Sequence, residues 1–155
     1  MSQLDIKIDT DDIVVFSIVF LTIIVIDMIA MTLLLGPMNS AVVADVQDAP
    51  PALRRLPGIL AYALLALGVY FFVLRSTVDA SGRLNPDLRA AALLGLVIFG
   101  TYNMVNLTLF DDYSYVVSVI DTAWGMALLS GSTYVATMLY NDGLPSVSSV
   151  VENRS

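Results

Sequence analysis

The chain has no cysteine and no histidine, and its only lysine is Lys7. The missing thiols and imidazoles remove disulfides, thiol chemistry, haem ligation through histidine and most zinc or copper sites. Lys7 lies in the polar N-terminal stretch, so no lysine is placed inside a membrane to carry a Schiff-base chromophore. Charge is scarce as well: 14% of the 155 residues are Asp, Glu, Lys or Arg, against about 25% in an ordinary soluble domain, which must keep water around it. Basic clusters are absent from a chain with a formal net charge of −7. This argues against a nucleic-acid partner, because phosphate contacts need grouped Lys and Arg. No nucleophile–base pair, phosphate-binding loop or metal-ligand constellation occurs, so neither an enzyme nor a cofactor nor a metal is expected.

What remains is apolar. Hydrophobic residues make up 57% of the chain and the mean hydropathy is +0.81. Residues 13–35 contain a single charge, Asp27, and about 20 apolar residues suffice to cross a ~30 Å hydrocarbon core. The stretch ahead of it is acidic and the apolar run is too long for a cleavable signal, so this first span is expected to stay. Thr10, Asp11 and Asp12 suit a helix start, and Gly36-Pro37 is expected to stop the helix. A short interfacial helix is predicted near 40–47, before Pro50-Pro51. Further spans follow at 58–74, 90–109 and 115–139. Asn85-Pro86 reads as a helix cap with proline in the first turn, and Tyr113, Tyr115 and Tyr140 as interfacial anchors. The organisation is therefore an acidic segment over 1–12, a four-span domain over 13–139 and a polar tail over 140–155. The fold class is all-α, an integral membrane bundle of four transmembrane helices. Both termini fall on one side, with Lys7, Arg75, Arg83, Arg89 and Arg154; the opposite side has Arg54 and Arg55. Five against two favours cytoplasmic termini.

Polar residues inside the spans are the candidates for function. An ionised carboxylate is costly in lipid, so intramembrane acids face the bundle interior. Asp27 lies roughly 21 Å from the terminus-side surface, and Asn103 and Asn106 roughly 20 and 24 Å, at 1.5 Å per residue. Asp121 enters from the other surface and lies roughly 9 Å below it, and Tyr62 reaches the same level. Asp121 shares a helix face with Trp124, Gly125 and Leu128. One polar layer built from all four helices is expected, with Asp27, Tyr62, Asn103, Asn106, Asp121 and Trp124 as its members. The plain reading is hydrogen-bonding glue between helices, with both carboxyls neutral. The other is proton or solute handling. Gly95, Gly100, Gly125 and Gly131 are expected to let helices approach closely.

The run Phe20-Leu21-Thr22-Ile23-Ile24-Val25-Ile26-Asp27, together with Ala61-Tyr62 and Gly68-Val69-Tyr70-Phe71, opens a recognisable pattern. Gly100-Thr101-Tyr102-Asn103-Met104-Val105-Asn106-Leu107 and Asp121-Thr122-Ala123-Trp124-Gly125 complete it. Over about 13–139 the chain resembles the four-helix membrane proteins grouped as domain of unknown function 2177. Asn103 stands where that family usually has an Asp, and Met28-Ile29-Ala30-Met31 replaces an aromatic Trp-Leu-Gly. The resemblance implies the fold and brings no settled activity.

Two functions are weighed. The first is a structural or anchoring subunit of a larger assembly, such as a membrane-containing virion or a multi-subunit membrane complex. Its polar ends, with Asp5, Asp9, Asp11 and Asp12, would bind neighbouring protein subunits while the spans contact the lipid bilayer. The second is a small permease or solute-binding protein that uses the Asp27 and Asp121 layer. A water-accessible cavity lined by those residues favours the second, and a dry, packed layer the first.

Overall fold

A computed structural model describes residues 10–50, 52, 54–78 and 82–143. The N-terminal acids Asp5 and Asp9 and the tail beyond Gly143, both expected to dock partners, lie outside the described residues. Helix α1 spans Thr10–Ala30, α2 Gly36–Gln47, α3 Arg55–Val69, α4 Leu88–Leu109 and α5 Tyr115–Gly143. Three helical stretches are long and apolar enough to cross a membrane: Thr10–Gln47, Arg55–Leu74 and Leu88–Leu109. The fourth, α5, is diluted by Ser118, Asp121, Ser130, Ser132 and Thr133. Its 29 residues cover roughly 43 Å at 1.5 Å each, ample for a crossing. A link of only a few residues makes it return alongside α4.

Gly36-Pro37 does not stop the first helix, contrary to expectation. A π-helical stretch, Met31–Leu35, joins α1 to α2 in one 38-residue rod. Proline ordinarily breaks a helix because it lacks an N–H and its ring meets the carbonyl four residues back. Here the turn is widened first: the Gly36 N–H bonds the Met31 carbonyl, five residues back. Pro37 then occupies the first turn of α2, where its missing N–H costs little. A Cβ on Gly36 would collide with the Met31 carbonyl oxygen, so glycine is required there. The helix expected near 40–47 is thus the end of this rod rather than a separate element.

Helix α3 starts at Arg55, ahead of Gly58, with Pro57 in its first turn, and ends in a second π-helical stretch, Tyr70–Leu74. The Arg75 N–H closes that stretch on the Tyr70 carbonyl at 2.9 Å. The cap of α4 is Asp87, not Asn85: its Oδ1 accepts from the Arg89 N–H at 2.9 Å. Pro86 therefore lies outside the helix. Asn85 instead donates its N–H to the Thr77 carbonyl at 3.0 Å, beside an antiparallel bridge between Val78 and Leu84. Asn141 clamps that loop to α5, accepting from the Leu84 N–H and donating to its carbonyl, both at 2.9 Å. At the start of α5 the Ser118 N–H bonds the Ser114 carbonyl at 3.0 Å.

Packing runs in the order α4, α5, α1, α3. The α4–α5 interface is the most extensive, and α3 touches α4 only slightly. Close approach comes from glycine: a Cβ on Gly95 would strike the Gly125 carbonyl, and one on Gly125 the Phe99 ring. Gly131 faces open space and serves no such purpose. The core gathers Val19, Ile23, Ala66, Val69, Leu74, Leu128 and Leu129. Outside it the molecule is apolar: Leu34 is 74% exposed and Phe72 75%. In water that surface would drive association; in a bilayer lipid covers it.

Candidate functional site

The buried stripe of α1 contains Val15, Val19, Ile23 and Asp27, each four residues from the next, as one helix face requires. Asp27 therefore projects into the core, where it is 6% exposed. Both of its oxygens have donors. The Tyr62 hydroxyl of α3 donates to Oδ2 at 2.5 Å, and the Trp124 indole N–H of α5 donates to Oδ1 at 2.8 Å. One carboxyl thus ties three helices together in the core.

The second cluster is built on α4 and α5. Asn103 is fully buried. Its Nδ2 donates to Asp121 Oδ2 at 2.8 Å and to the Phe99 carbonyl at 2.9 Å, with Thr122 Oγ1 farther away at 3.4 Å. Asn103 Oδ1 accepts from the Tyr113 hydroxyl at 3.0 Å. Tyr113 belongs to the α4–α5 link and folds back over the last turns of α4, where it also reaches Asn106. Burial pushes the Tyr113 phenol above its ordinary range. Asp121 is half-buried. Its Oδ1 accepts no hydrogen bond from the described residues.

The expected single layer is thus two hydrogen-bonded clusters. Asp121 and Trp124, three apart on α5, contribute one to each, and the two carboxyl groups lie within electrostatic reach of one another. Asn106 joins neither carboxyl; it meets Tyr113.

Beside Asp121 lies a cleft of about 680 Å³. It exists because α3 and α4 barely meet. Leu64 and Leu65 of α3 and Ile98 and Phe99 of α4 form its apolar walls, while Val42 and Val43 of α2 close the outer side. Asn39, Tyr102, Tyr113 and Asp121 are its polar members. Asp27 does not line it. Sequence reasoning passed over Asn39, Tyr102 and Thr122, and took Tyr113 for an interfacial anchor. The short α4–α5 link was the available signal, since it keeps Tyr113 within a side chain's length of Asn103. Among the described residues no three acidic side chains converge as a metal would require.

A family model described as predicted membrane protein (DUF2177) matches residues 12–139. No curated protein and no solved structure matches the chain.

Proposed function

From the premise that the chain belongs to the DUF2177 family of predicted membrane proteins, we propose that it is a small, non-enzymatic solute-handling membrane protein working through Asp121. One observation carries this reading: a half-buried carboxyl with an uncommitted oxygen opens onto a cleft of about 680 Å³ walled by α2, α3, α4 and α5. That volume lies within the range of ordinary small-molecule sites, about 300–1,000 Å³. A carboxyl at such a place can accept a hydrogen bond or an ion from a guest, or exchange a proton with water in the cleft. Asp27, buried and with both oxygens occupied, is the structural counterpart. The anchoring reading rests on the terminal segments, of which Asp5, Asp9 and the tail beyond Gly143 lie outside the described residues, and it gains no comparable support. The termini are assigned to the cytoplasm on the five-to-two basic count, which puts the cleft toward the opposite surface.

The test is a thermal-shift screen of small organic solutes against the protein in nanodiscs. At least one chemical class should stabilise the native chain and lose its effect when Val42→Trp fills the cleft wall. If no class distinguishes the native chain from Val42→Trp, the solute-handling reading fails.

A further inference from the structure

Resting on the reading of the Asp121 cleft as a solute site, we infer that its guest is an amphipathic primary amine, with the ammonium on Asp121 and the chain along the apolar walls. Two features converge. First, charge: no Lys or Arg lines the cleft, so a guest cation would be the counter-ion of Asp121. Oδ2 is already held by Asn103, and Oδ1 is left for a donor such as an ammonium N–H. Second, Phe99, Tyr102 and Tyr113 line the same space, and aromatic rings attract organic cations. An anion would meet a carboxyl and no basic group.

The alkyl chain would lie along Leu64, Leu65 and Ile98, apolar residues that line the same cleft.

The experiment uses the full chain in nanodiscs whose lipid, phosphatidylcholine, carries no primary amine. Three photoprobes share one ten-carbon chain ending in a diazirine and differ only in the head: amine, alcohol or carboxylic acid. Crosslinked residues are mapped by mass spectrometry. The amine should label the cleft around Leu64, Leu65 and Ile98, in competition with unlabelled decylamine. Asp121→Asn should lower that labelling about tenfold, the loss of one charge-assisted contact of ordinary strength. This variant keeps an oxygen for Asn103, and its melting curve serves as the fold control. Should it fail to fold, the head-group comparison in the native chain decides alone. Equal labelling by amine and alcohol overturns the amine assignment and leaves the solute site standing. Labelling that is absent from the cleft for all three probes, or indifferent to Val42→Trp, overturns both.

Discussion

Asp27 and Asp121 are the same residue type at similar depth, yet their surroundings differ. Asp27 is held by a phenol from one helix and an indole from another, is buried, and does not line the cleft. Asp121 has one donor, Asn103, and a cleft on its other side. The difference follows from which helices touch. Helix α1 packs against both α3 and α5, so its inward carboxyl is enclosed. Helices α3 and α4 barely meet, so a carboxyl facing that gap stays open. Depth in a membrane therefore does not assign a role to an acid; the neighbours that fill its hydrogen-bonding capacity do.

Four measurements break or sharpen this contrast. The strongest lies in accessibility, and the absence of cysteine gives a clean background. With Asp121→Cys and Asp27→Cys as single variants, a small hydrophilic thiol reagent should modify the first at least an order of magnitude faster, because thiol reactivity follows access to solvent. Equal rates would erase the distinction between open and closed sites. Next is stability. Asp27→Leu strands the Tyr62 hydroxyl and the Trp124 N–H and should cost on the order of 1–3 kcal/mol in denaturation from detergent. Asp27→Asn keeps an acceptor and should cost less; if the two variants unfold alike, the hydrogen bonds are not what matters there.

Asp121→Leu should cost about 0.6–1.7 kcal/mol, the range found for single polar contacts between membrane helices. Asn103 keeps the Phe99 carbonyl as a partner, so the loss is smaller than at Asp27. A greater loss than for Asp27→Leu would reverse the assignment of structural and working acid. The mildest change is Tyr113→Phe, which removes the donor to Asn103 Oδ1 and should cost about 0.6 kcal/mol. Its clearer readout is the labelling rate of Asp121→Cys in the double variant. That rate should rise as Asn103 loosens, and an unchanged rate would separate Tyr113 from the cluster.

Much of this arrangement was legible in the residues. The apolar runs around Asp27, Tyr62 and Asn103 identify membrane helices, and counting along each helix brings the polar side chains to one level. The pairing within that level was not legible. Depth is a linear function of sequence, but the direction a side chain takes depends on how its helix is rotated in the bundle. Asn106, one turn from Asn103, was expected at the carboxyls; rotation of α4 leaves it half-buried against Tyr113 instead. Gly36-Pro37 misled for a related reason. The rule for proline assumes an α-helical turn before it, and a π-helical turn with a glycine at its end evades the clash.

Hydropathy and spacing alone were enough to place this chain in a membrane, divide it into crossing helices and name its acids and amides, because these are local properties of short runs. The fold added which acid is sealed and which is open, the continuation of the first helix beyond Pro37, and the cleft itself. Those depend on contacts between residues far apart in the chain. Gly95 against Gly125 draws α4 onto α5, and Tyr62 and Trp124 converge on Asp27. The gap left between α3 and α4 has no counterpart in any single segment.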